Sequence, residues 1–138
     1  MNLRLTMAMI ALILASTVSV QNCGIGKSLF NISQLSISPT NPTSGDPLTL
    51  HMQYTVPQGM VVTGGTATYA MKYNFIPISP TVESLCSNIP CPLGPGIYTN
   101  DTVTTWPSGI SGRISTKITW ADSNNTMLAC LSIDGKSR

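Results

Sequence analysis

Between Leu48 and Val56 apolar and polar residues alternate without a fault, with Leu48, Leu50, Met52, Tyr54 and Val56 set against Thr49, His51, Gln53 and Thr55. A repeat of two residues fits only an extended strand with one buried face and one wet face. Ala67, Tyr69, Met71, Tyr73 and Phe75 make a second apolar row, against Thr66, Thr68, Lys72 and Asn74. A third places Ile114, Ile118 and Trp120 inward, with Thr116 filling the remaining inward position, and a fourth carries Met127, Ala129, Leu131 and Ile133. The stretch Phe30 to Ile37 slips phase between Ile32 and Leu35, which a β-bulge would repair. Turn-forming clusters punctuate these runs, including Pro39 to Pro47, Pro92 to Gly96, Trp106 to Gly109 and Asp122 to Asn125. Beyond the N-terminal segment no stretch keeps helical spacing over about ten residues. The expected fold is an all-β, two-sheet antiparallel sandwich, immunoglobulin-like, of about seven strands.

The chain opens with Arg4 and an apolar run from Leu5 to Ala15, followed by small residues. That pattern is expected to be a secretory signal over residues 1–20, too short to span a bilayer, leaving one domain over 21–138. All four cysteines, Cys23, Cys86, Cys91 and Cys130, follow this segment, and an even count in a secreted chain argues for two disulfides. Cys86 and Cys91 flank a turn-like Ser-Asn-Ile-Pro that can bring them together, which leaves Cys23 and Cys130 at the two ends of the domain. Asn31, Asn100 and Asn124 each head a glycosylation sequon, usable in the secretory pathway. The expected location is extracellular or the lysosomal lumen.

Function classes fall away quickly. The basic residues form no block or stripe along the chain, so no nucleic-acid partner is expected, and encounter with a membrane is expected to be only weakly electrostatic. The sole histidine, His51, lies on the polar row of its strand, without the neighbour that a zinc site or a nucleophile's base requires. The five acids fall in or beside turns, and no nucleotide motif occurs. No catalytic residue, metal or cofactor is expected. The apolar rows are rich in Met, Tyr, Phe and Trp, side chains that can line a cavity as well as fill a core.

Five segments in order carry a resemblance: Ile37 to Leu50 (ISPTNPTSGDPLTL), Val62 to Tyr69 (VTGGTATY), Leu85 to Gly96 (LCSNIPCPLGPG), the Trp-Pro-Ser-Gly-Ile turn from Trp106, and Ile118 to Cys130 (ITWADSNNTMLAC). Over the whole chain beyond the leader, the sequence resembles the ML (lipid-recognition) domain family, which includes Niemann–Pick type C cholesterol carriers and fungal phosphatidylglycerol/phosphatidylinositol transfer proteins. The resemblance implies a sandwich whose sheets part to admit a lipid, with Cys23 paired to Cys130 and Cys86 to Cys91. Many members carry a further small bridge in the region of Ser38 to Asp46, where this chain has no cysteine, which weakens the sterol assignment relative to the family assignment.

By the same resemblance, the mouth of the pocket would be built from Phe75, Ile76, Pro77 and Ile78 before the Cys86–Cys91 hairpin and from Trp106 and Pro107 after it. Tyr54, Tyr69, Met71, Ile114, Ile118 and Trp120 would stand behind the mouth. The implied function is a carrier that encloses a sterol or phospholipid, meets membranes transiently and works as a monomer. The alternative is a secreted interaction module that recognises a glycolipid or a protein receptor.

Overall fold

In the computed structural model, which describes residues 17–106 and 111–137, the chain folds into two antiparallel sheets. The larger contains β1 (Thr17–Asn22), β9 (Met127–Ser137), β8 (Gly112–Asp122), β4 (Gly65–Tyr73) and β5 (Ile76–Pro77) in that order, with β6 (Thr81–Ser84) also paired to β4. The smaller holds β2 (Asn31–Ser38), β3 (Pro47–Val56) and β7 (Gly96–Thr105). A 3-10 turn, Leu85–Ser87, follows β6. Among the described residues no helix is long and apolar enough to cross a membrane.

The alternating runs become the strands. In β3 Leu48, Leu50, Met52, Tyr54 and Val56 are buried. The phase slip in β2 is a bulge at Ser33, between the pairs Ile32–Tyr54 and Gln34–Gln53. A second bulge opposes Trp120 and Ala121 to Ala129 and Met127, so the extra residue, Leu128, turns into the core. The inward row expected to begin at Met127 therefore has Leu128 in its place. The expected row through β4 also ends early. Asn74 and Phe75 take positive φ angles of 49° and 68°, closing a two-residue hairpin between Tyr73 and Ile76 and turning Phe75 outward.

Tyr54 organises the dense half of the core. Its ring stacks on Phe30 at 5.2 Å and on Tyr98 at 5.8 Å, and meets Trp120 edge-on at 5.5 Å. Such pairs add about 0.5–1.5 kcal/mol each beyond the area they bury. Leu85, Leu93, Leu128 and Leu131 are buried in the same cluster. The Cys23–Cys130 disulfide joins the start of the domain to β9, and Cys86–Cys91 closes the segment after β6. A second, smaller cluster of Val18, Ile37, Leu48 and Trp106 lies at the other end. Residues 1–16 of the expected leader lie outside the described residues, whereas Thr17 to Val20 pair with β9 from Lys136 to Ile133.

Candidate functional site: a cavity between the sheets

The two clusters do not meet across the whole sandwich. Along one side β1 draws the sheets together, with the Val18 N–H donating to the Thr40 carbonyl at 3.0 Å. Along the other side β4 and β7 face each other without pairing, and β7 has β3 as its only strand partner among the described residues. There the sheets enclose a cavity of about 350 Å³. Leu48 and Leu50 from β3 and Ile37 from β2 form one wall, and Met71, Ile114, Ile118 and Ile133 form the other. Each reaches the cavity because it occupies an inward position of its strand. The hydroxyl-bearing Thr102, Thr104 and Thr116 are the polar residues that share these inward rows. Met71 of β4 is 42% exposed, and on β7 the lining runs through four consecutive residues, Thr102 to Thr105, taking in the margin of the strand as well as its inward side chains, which marks this side as the opening.

Trp106 closes one end. Its backbone is clamped by the loop after β2, with its N–H donating to the Asp46 carbonyl at 2.7 Å and its carbonyl accepting from the Gly45 N–H at 3.1 Å. The Thr43 N–H and hydroxyl both donate to the Asp46 carboxylate, at 2.8 and 2.9 Å, and hold its pKa below the ordinary carboxylate value. The indole packs on Val18, Ile37 and Leu48, and only 4% of the residue is exposed. Its ring N–H is buried without a hydrogen-bond partner among the described residues. At the other end a void of about 30 Å³ shares Leu50, Tyr69, Thr102 and Ile118 with the main cavity. The Tyr69 hydroxyl donates to Asn88 Oδ1 at 2.9 Å there. Burial, reinforced by Glu83, pushes its pKa up to about 12, so the phenol stays neutral.

Of the residues expected to touch a ligand, the structure brings Tyr69, Met71, Ile114, Ile118 and Trp106 together on the cavity wall. Trp106, which the resemblance places at the mouth of the pocket, is a buried wall at one end of the cavity. Trp120 borders only the small void, and Tyr54, 1% exposed, is consumed by the aromatic core. Phe75, Ile76, Pro77 and Ile78 project from the hairpin into solvent and do not line the cavity. Pro107 lies outside the described residues. Sequence reasoning missed Ile37, Leu48, Leu50 and Ile133 as wall residues. Their inward phase was legible, but alternation gives the face of a strand and not how far the opposite sheet stands away.

The polar face of the smaller sheet carries one cluster. His51 Nδ1 lies 2.5 Å from Asp101 Oδ1, and its Nε2 lies 3.3 Å from Gln34 Oε1. Both ring nitrogens face polar oxygens, and neither faces a hydroxyl or thiol. Among the described residues no group of three potential metal ligands occurs. Asn31 and Asn124 are exposed, whereas Asn100 points inward and its side-chain amide donates to the Asn88 carbonyl at 3.0 Å.

Comparison with known proteins agrees with this architecture. The family model described as ML domain matches residues 17–136. A Dictyostelium discoideum protein named for an inferred phosphatidylglycerol/phosphatidylinositol transfer activity is 29% identical over 117 residues, covering 82% of each chain. A second protein of that organism with the same inferred activity is 25% identical over 122 residues, covering 82% of this chain and 78% of its own. Among solved structures, a Niemann-Pick type C2 protein from Japanese carpenter ant superposes with a TM-score of 0.66 at 14% identity, over 87% of this chain and 99% of that one. Chicken MD-1, solved with lipid IVa, gives 0.62 at 12% identity, over 89% and 91%.

Proposed function

Because the chain belongs to the ML domain family, we propose that it is a secreted lipid carrier that takes the apolar part of a sterol or phospholipid between its two sheets and performs no chemistry on it. The observation that carries this reading is the apolar cavity with its opening between β4 and β7. A cavity of about 350 Å³ falls within the roughly 300–1,000 Å³ typical of small-molecule sites. Enclosing roughly 500 Å² of lipid hydrocarbon yields on the order of 12 kcal/mol gross. Association costs of several kcal/mol reduce this to micromolar or tighter binding, which suffices for transfer. The named activity of the Dictyostelium relatives favours a phospholipid over a sterol.

The test is a native mass spectrum of protein secreted from a eukaryotic host, before and after solvent extraction, followed by titration with a fluorescent acyl probe. The expected result is extractable lipid and saturable probe uptake. Thr116→Trp, which sets an indole into the cavity from an inward position of β8, should abolish uptake in a folded protein. Uptake by Thr116→Trp equal to that of the parent chain would defeat the cavity as the binding site.

A further inference from the structure

The basic residues are scattered along the chain but not over the fold. Strand register places Arg113 directly opposite Lys136, and Lys72, Ser115, Asp134 and Ser19 in the next row on the same outer face. Ala70, Lys117, Ser132 and Gln21 make the row after that. Four of the five cations within the described residues thus converge on the outer face of β4, β8 and β9, and all four are exposed. Thr17, Ser19 and Ser132 fill the spaces between them. The one acid in these rows, Asp134, is occupied by hydroxyls, accepting from Ser115 at 2.7 Å and from Ser132 at 3.3 Å. The single ion pair among the described residues is His51–Asp101 on the other sheet, so among them none of the four cations is held in an ion pair, and with Asp134 as the one acid these rows carry an excess of positive charge.

The β4–β5 hairpin stands at the edge of this face. Phe75, Ile76 and Ile78 are 76%, 66% and 48% exposed. A bulky residue at positive φ is a backbone outlier, yet Phe75 is held there. The Asn74 N–H donates to the Arg113 carbonyl at 2.8 Å, and the Arg113 N–H donates back to Asn74 Oδ1 at 2.9 Å. The Arg113 guanidinium lies over the Phe75 ring, 5.6 Å from its centroid. The backbone is therefore strained to present an aromatic ring to water, beside a face on which cations outnumber acids.

We propose that the outer face of β4, β8 and β9, with Lys72, Arg113, Lys117 and Lys136, docks on an anionic lipid bilayer, and that Phe75, Ile76 and Ile78 enter its hydrocarbon boundary. An anionic bilayer offers phosphates above hydrocarbon in one surface, which matches cations bordered by protruding apolar side chains. An acidic protein would satisfy the charges and leave the three apolar side chains without a reason to project. The same stretch of β8 serves both surfaces. Arg113 and Lys117 face outward, whereas Ile114, Thr116 and Ile118 face the cavity. Docking at this edge brings the opening beside β4 close to the bilayer, a purpose that rests on the carrier reading.

The experiment is co-sedimentation of the intact protein with phosphatidylcholine vesicles, and with vesicles in which part of the phosphatidylcholine is replaced by phosphatidylglycerol, at low and physiological salt. The expected result is selective binding to the anionic vesicles that weakens with salt. The double variant K117Q/K136Q should bind them on the order of 20-fold less well, at about fivefold per cation. Phe75→Ser, which relieves an exposed strained position, should also weaken binding while circular dichroism stays unchanged. Equal binding to both vesicle types, undiminished binding by K117Q/K136Q, or no vesicle binding by the parent chain would each overturn the proposal, the last leaving an acidic protein as the occupant. Uptake of a dispersed acyl probe should be the same in K117Q/K136Q and the parent. A protein that docks on vesicles but takes no probe would keep this face and defeat the carrier reading, so the two failures are read separately.

Discussion

The indole of Trp106 lies directly on the bare backbone of Gly135, where an added β-carbon would stand 2.5 Å from the ring carbon Cη2. The glycine is what lets the indole seal the end of the cavity. Gly135→Ala should destabilise the domain by about 1–3 kcal/mol by displacing the ring. Trp106→Ala, which empties a buried site, should cost about 3–5 kcal/mol. In the double variant the alanine at 135 should become nearly neutral. Denaturant unfolding of all four proteins measures this coupling, and additive effects would refute the contact.

Cys23–Cys130 closes a loop spanning 107 residues, and Cys86–Cys91 one spanning 5. In the chain-entropy model a loop of about 100 residues is worth close to 4.7 kcal/mol, far more than a short one. Cys130→Ser should sharply reduce secreted yield, whereas the double change Cys86→Ser with Cys91→Ser should reduce it mildly. Secretion assays with non-reducing peptide maps provide the check.

Val18 is buried against Trp106, Ile37 and Leu48, and Thr17 to Asn22 pair with β9. Cleavage near Ser19 or Val20, the position that small residues suggested, would remove Val18 from this cluster. The secreted chain should therefore begin at or before Thr17, as its intact mass would show. A mature chain starting at Gln21 would contradict the role given to Val18.

Burial raises the pKa of both Tyr54 and Tyr69 to about 12, with Tyr98 adding to the first and Glu83 to the second. A phenol whose folded pKa lies above its unfolded value near 10 favours the folded state fully below pH 10 and loses that contribution as pH rises toward 12. The melting temperature should be insensitive to these groups at neutral pH and fall across that alkaline window. Tyr54→Phe should flatten part of the decline.

Asn100 is the sequon residue whose side chain is already engaged, on the Asn88 carbonyl inside the sandwich. Peptide mapping after enzymatic deglycosylation should find glycan at Asn124 and none at Asn100. A glycan on Asn100 would require β7 to turn over relative to β3.

The sheets were legible because a buried face forces period-two alternation, and β3 shows it over its whole length. The bulge in β2 was legible because it breaks that period. The bulge at Leu128 was not, because Met127 and Leu128 are equally apolar and either could face inward. Phe75 continued its row by arithmetic, but the chain turns at Asn74, a residue that tolerates the left-handed region. The convergence of Lys72, Arg113, Lys117 and Lys136 was invisible for a different reason. It depends on which strands are neighbours and in what register, and no local pattern in the sequence records that.

The unpaired side of β7 has a consequence for how the protein behaves in concentrated solution. A strand of ten residues with one free edge is a template on which another chain could add and begin an aggregate. Here the strand carries Thr99, Asp101, Thr102, Thr104 and Thr105, and its exposed apolar side chains, Ile97 and Val103, stand apart at its two ends and form no continuous row. Water competes well for such a hydroxyl-rich margin, which offers an incoming strand little apolar surface to bury. The gap between the sheets can thus stay open without the molecules joining edge to edge.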